Sequence, residues 1–119
     1  MLNDSAGFSQ VYIACGYTDL RLGIDGLAGL VQNNFNLDPF SSGILFLFCG
    51  RRTDRIKGLL FEGDGFLLLY KRLENGSFQW PRSEAEMKTL TSQQYKWLME
   101  GLALEQKKVI QKISAVAIL

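Results

Sequence analysis

Residues 44–49, Ile-Leu-Phe-Leu-Phe-Cys, are apolar at every position. Side chains of a β-strand alternate between two faces, so a strand without a polar position needs cover on both. Six residues suit a strand better than an ordinary helix. The chain therefore has to build layers on both sides of a central strand. With 119 residues, 47% of them hydrophobic, it has material for one such core and too little for two. The organisation read from this is a single domain over 1–119, with 103–119 as a candidate tail.

The surrounding segments supply the layers. Residues 11–15, VYIAC, are β-branched and aromatic enough for a strand, which Gly16 ends. A helix is expected next, with Thr18 as N-cap and Asp19 at its positive end. Leu20, Ile24, Leu27, Val31 and Phe35 recur along it at helical spacing. Gly23, Gly26 and Gly29 would each weaken that helix by about 1 kcal/mol against alanine, so close approach to a neighbour is expected to explain them. Asp38-Pro39 and Ser41-Ser42-Gly43 read as loop. Residues 55–62 and 66–73 read as two strands of a hairpin joined through Gly63-Asp64-Gly65. A last short strand is expected at Phe78–Trp80.

A second helix begins after Leu90. Thr91 and Gln94 have capping-box spacing, Leu90 can staple onto Tyr95, and Tyr95, Leu98, Met99 and Leu102 form its apolar stripe, with Gly101 at its end. The remaining tail is basic, then apolar, with Val109, Ile113 and Val116 loosely spaced. The resulting class is α+β: a mostly antiparallel sheet of four to five strands, one helix after the first strand and one near the C-terminus.

Composition removes several kinds of chemistry. The chain has no histidine, and with it go the commonest general base and neutral metal ligand. Cys15 and Cys49 lack metal-type spacing and read as buried thiols. No apolar run reaches membrane-spanning length. The opening MLNDSAGFSQ lacks the basic and apolar regions of a secretion signal, so a cytoplasmic location is expected. Asp19, Asp25, Asp54 and Asp64 sit in separate turns and helix positions that do not converge as a two-metal site requires. No catalytic residue, metal or other cofactor is expected.

The informative charge is local. Net charge is +1, yet Arg21 alone faces Asp4, Asp19, Asp25 and Asp38 in the first 48 residues. Residues 49–82 carry Arg51, Arg52, Arg55, Lys57, Lys71, Arg72 and Arg82 against Asp54, Glu62, Asp64 and Glu74. In a two-residue hairpin at either Gly63-Asp64 or Asp64-Gly65, alternation puts Arg55, Lys57, Tyr70 and Arg72 on one face. The first register sets Arg55 opposite Arg72, a like-charge pair that a polyanion would relieve. Arg51, Arg52, Arg55, Lys57, Tyr70, Lys71 and Arg72 are thus the candidate nucleic-acid or partner-binding residues. The alternative is a set of solvated or edge-protecting charges.

VYIACGYTDLRLGIDGLAGLV together with FLFCGRRTDRIKGLLFEGDGFLLLYKRLENGSFQWP resembles the TnpB, or second-open-reading-frame, accessory proteins of insertion sequence sixty-six family elements. The likeness is dense over 11–81. Its family-like positions include Cys15, Gly16, Thr18, Asp19, Arg21, Asp25 and Gly26, then Arg51, Arg52, Asp54, Arg55, Lys57, Tyr70, Lys71, Arg72, Trp80 and Pro81. Gly50 departs from an expected asparagine, Leu67 and Leu69 from commonly aromatic positions, and Leu22 from a frequently basic one. The resemblance implies a bacterial, non-enzymatic accessory of transposition that works beside the transposase of the same element. Its basic face would contact element DNA or dock the transposase itself. No small-molecule substrate or membrane is implied.

Overall fold

The computed structural model describes residues 2, 7–82 and 85–106. The tail positions Val109, Ile113 and Val116 lie outside the described residues. Strands β1 (Gln10–Ala14), β2 (Ile44–Cys49), β3 (Arg55–Phe61), β4 (Phe66–Arg72) and β5 (Met87–Leu90) form one sheet in the order β4-β3-β2-β1-β5. Every neighbouring pair is antiparallel except β1 with β2, which is parallel in the register Gln10↔Ile44 to Ile13↔Leu47. A parallel pair needs a long crossover. Residues 15–43 provide it and carry helix α1 (Ile24–Gly29), which continues as a wider π-helical turn over Leu30–Asn34.

The unbroken apolar run does what its composition demands. Leu45, Leu47 and Cys49 of β2 enter one core cluster, with Val11, Ile13, Ile56, Phe78, Trp80, Tyr95 and Leu98. Phe46 and Phe48 enter another, with Ala14, Leu27, Val31 and Leu59. Helix α1 therefore covers one sheet face, and α2 (Ser92–Met99) covers the other. Truncating a fully buried residue such as Leu98 to alanine costs about 2–5 kcal/mol through lost burial and the cavity left behind.

The hairpin adopts the first of the two anticipated registers, with Phe61↔Phe66 beside the turn and Arg55↔Arg72 at the open end. Glu62 N–H donates to the Gly65 carbonyl at 2.9 Å, so Gly63 and Asp64 alone form the loop. Gly63 has φ +95°, whereas Asp64 is not in the positive-φ region. That pattern belongs to a type II′ turn, whose first central residue favours glycine.

Helix α2 also forms as its residues dictate. The Thr91 hydroxyl accepts from Gln94 N–H at 3.1 Å, and Thr91 N–H donates to the Gln94 side chain at 3.0 Å. Leu90 and Tyr95 join the same cluster. Gly101, at φ +79°, ends the helix, with Gly101 and Leu102 N–H donating to the Leu98 and Trp97 carbonyls. This is the Schellman arrangement, in which glycine takes the left-handed position. Leu102 lies beyond that cap and is exposed, so it leaves the expected stripe.

Three further expectations are corrected. Helix α1 starts at Ile24 with Gly23 as N-cap, and Thr18 caps nothing. The carboxylate of Asp19 accepts from the backbone and guanidinium of Arg21, which holds residues 19–21 in a local turn. The apolar stripe from Leu20 to Phe35 nevertheless faces the core. Among its glycines only Gly26 shows a close approach: a Cβ there would lie 2.8 Å from Leu22, the turn immediately before it.

The third concerns Phe78–Trp80, which is not a strand. Strands β4 and β5 occupy opposite edges, ~19 Å apart at ordinary strand spacing, so the chain between them has to traverse the sheet. Phe78 and Trp80 anchor that traverse in the core, with the Trp80 indole N–H donating to the Ala14 carbonyl at 2.9 Å. Met87–Leu90 supplies the fifth strand instead, paired with β1.

Candidate functional site

Strand directions explain where the basic residues meet. Strands β1 and β2 run parallel, so the segments following them emerge at the same end of the sheet. Strand β3 starts there and β4 ends there, because both pairings are antiparallel. Tyr17, Arg51, Arg52, Arg55, Tyr70 and Arg72 are thereby delivered to one end of the sheet from four stretches of chain. A cleft of about 580 Å³ opens between them, lined by Tyr17, Arg21, Arg51, Arg52, Arg55 and Tyr70 among others. Such positions beyond the carboxyl ends of parallel strands are recurrent ligand sites in open sheets.

Each candidate side chain has a definite setting. Arg51 donates to the Tyr17 hydroxyl at 3.1 Å and lies over its ring, 4.5 Å from the centroid. Arg52 reaches Asp54 at 3.1 Å while its side chain stays 73% exposed. Arg55 donates to the same carboxylate at 3.0 and 3.3 Å and is only 27% exposed. The Arg55 hydrogen bond lowers the Asp54 pKa against the opposing effect of burial, and the same bond raises that of Arg55. Lys57 donates to the Leu22 carbonyl at 2.9 Å, with its ammonium 5.8 Å from the Tyr70 centroid. It therefore ties the hairpin to the turn that precedes α1.

Arg72 pairs with Glu74 at 3.1 Å. The like-charge strain expected between Arg55 and Arg72 is thus answered by the chain's own Asp54 and Glu74. Among the candidate residues charge is still left over: five cations (Arg51, Arg52, Arg55, Lys57, Arg72) stand against the two carboxylates that pair with three of them, an excess of three. Pairs made by exposed side chains such as Arg52 and Arg72 contribute only about 0–1 kcal/mol, so an incoming anion can exchange them cheaply. Lys71 stands apart. It pairs in register with Ile56 and projects from the opposite sheet face, away from the other six candidates.

Sequence reasoning missed Tyr17, Arg21 and Arg82 at this site. Arg82 donates to the carbonyls of Gly16 at 2.6 Å, Gly50 at 2.5 Å and Arg51 at 3.3 Å, and its guanidinium lies 5.9 Å from the Tyr17 ring. The signal for Tyr17 is its place just past the end of β1, which becomes informative only once β1 is known to run parallel to β2. On the cleft wall, Arg21 pairs with Asp19 at 2.8 Å and lowers the Asp19 pKa to about 2 through that hydrogen bond.

The chemistry available is ionic and aromatic. Among the described residues, no group of three or more cysteine, aspartate or glutamate side chains is gathered as a metal would need. Both cysteines are buried, and burial pushes the Cys49 thiol up to about 11, against the opposing pull of Arg82. No helix of the described residues is long and apolar enough to cross a membrane.

Comparison with known proteins places the chain. The uncharacterized protein y4hO of Sinorhizobium fredii is 38% identical over 93 residues, covering 78% of this chain and 80% of that protein. The uncharacterized protein y4jC of the same organism is 30% identical over 102 residues, 86% of each chain. No solved structure matches. The sequence model of a family described as IS66 Orf2 like protein matches residues 9–109, which include every residue of the basic cleft. The chain belongs to the IS66 Orf2 like protein family.

Proposed function

We propose that this protein is a non-enzymatic accessory of DNA transposition, acting in the cytoplasm beside a separately encoded transposase and gripping element DNA through the basic end of its hairpin. Family membership supports the role in transposition. The observation that supports DNA as the ligand is the gathering of Arg51, Arg52, Arg55, Lys57 and Arg72 at one sheet end, where these five cations exceed their two paired carboxylates by three. Guanidinium groups suit phosphate oxygens because their donors form a planar fork. Each phosphate contact releases counterions, so affinity should fall steeply with salt.

The test uses the exposed arginines, leaving Arg55 and Lys57 to their internal partners. Changing Arg51, Arg52 and Arg72 together to glutamate should lower the slope of log affinity against log salt by about 3 while melting is unchanged. Equal slopes for wild type and variant on a long duplex would remove DNA contact from this face.

A protein-docking reading also has an observation in its favour. At the far end of the same hairpin, Phe40 is 55% exposed and packs against Phe61 and Phe66, with centroids 5.3 and 5.1 Å away. Exposed apolar patches commonly mark protein interfaces. If transposase association survives the arginine reversal but is lost on changing Phe40 to serine, the hairpin carries two separate contacts. If association needs the arginines and proceeds without DNA, the adaptor role replaces the DNA role.

A further inference from the structure

Resting on the DNA reading, we propose that the cleft between Tyr17 and Tyr70 seats an unpaired nucleotide, so that the protein distinguishes single-stranded or frayed DNA from intact duplex. Three features argue for this. The site is concave and about 580 Å³ in volume, in the range of pockets that enclose small organic ligands. A continuous duplex presents convex phosphate ridges and would span such a hollow without filling it.

Aromatic surface is the second feature. Tyr17 is 59% exposed and Tyr70 54% exposed, although the sheet behind them has ample core to bury rings. Both line the same cleft. Bases within a duplex stack on each other and offer no ring face, whereas an unpaired base can stack on tyrosine or on a guanidinium plane. Arg51, already lying over Tyr17, extends that stack.

The third feature is the placement of charge. Arg51 and Arg52 stand in the turn after β2 and line the cleft, Arg51 lying against the ring of Tyr17, where a nucleotide's phosphate would follow its base. Asp19, a carboxylate lining the cleft, is already engaged by Arg21 at 2.8 Å. The cleft therefore offers a ring, a guanidinium plane and exposed cations together.

The experiment compares a short oligo-thymidine strand with a blunt duplex of equal length, by fluorescence anisotropy on the whole protein near physiological salt. Wild type should prefer the single strand. Tyr17→Leu and Tyr70→Leu should each weaken single-strand binding by roughly fivefold to a hundredfold, with duplex binding and melting unchanged. Tyr17→Phe and Tyr70→Phe, which keep the ring, should retain it. Equal loss for strand and duplex, no loss on removing either ring, or preference for duplex would overturn the proposal. If duplex still binds with arginine-dependent salt sensitivity in that case, gripping of DNA stands and only the nucleotide pocket falls. If neither DNA form binds, both fall.

Discussion

The two ends of one hairpin face behave as different materials. Reading along β3 and β4, the cross-strand pairs on the α1 side run Phe61–Phe66, Leu59–Leu68, Lys57–Tyr70 and Arg55–Arg72. Within roughly 20 Å of regular strand the surface passes from aromatic to aliphatic to cationic. Phe61 and Phe66 lie 5.0 Å apart and lean on Phe40. At the other end the guanidinium groups are held at the surface by single carboxylates. The backbone pairing is the same at both ends, so side-chain chemistry alone separates an aromatic end that secures the fold from a cationic end for which a ligand is proposed.

Substitutions can break this contrast. The largest effect on stability is expected at the aromatic end: Phe66→Ala should cost about 2 kcal/mol, somewhat below a fully buried phenylalanine, with DNA affinity unaltered in the same preparation. A loss of DNA binding there would erase the division. Next is the turn. Gly63→Ala forces a side chain into φ +95° and should cost about 1 kcal/mol, whereas Gly65→Ala meets nothing within 4 Å and should be near neutral in denaturant titration. Equal costs for the two glycines would mean that the loop is not of the II′ type.

Smaller still is the expected response at the cationic end. Arg52→Gln removes an exposed pair and should change stability by less than about 0.5 kcal/mol, while measurably flattening the salt dependence of DNA binding. The smallest effect concerns Asp19. Its carboxyl is held at about 2 instead of 3.8, chiefly by the Arg21 hydrogen bond. Because the folded value is depressed, the stabilisation is present above about pH 4 and fades as pH falls through about 2. In a carbon-detected NMR titration, Arg21→Gln should move the Asp19 midpoint upward. An unmoved midpoint would show that this turn is held by something else.

What was legible in the sequence follows the range of the interactions involved. The hairpin, in one of its two anticipated registers, the capping box over Thr91–Gln94 and the core-facing apolar spacing from Leu20 to Phe35 depend on neighbours a few residues apart, and each is present in the structure. Strand direction is a long-range property. The run ILFLFC announces a central strand covered on both faces, yet nothing in it states that β1 lies parallel beside it, and without that pairing Tyr17 cannot be placed against Arg51. Local chemistry also misled twice. Thr18-Asp19 has the composition of a helix start, but Asp19 spends its acceptors on Arg21. Phe78-Gln79-Trp80 alternates like a strand, but Phe78 N–H bonds to the Thr53 carbonyl in a loop while the chain crosses the sheet.

Arg82 gives the cleft a mechanical character. Its single guanidinium rivets the peptide after β1 to the peptides after β2, so the two rims belong to one stiff mould and cannot gape independently. If the cleft takes a ligand as proposed, that ligand finds the cavity already shaped and loses little to reshaping it. Capture should then be paced by encounter, and the time a visitor stays should depend on how well it matches a form fixed in advance.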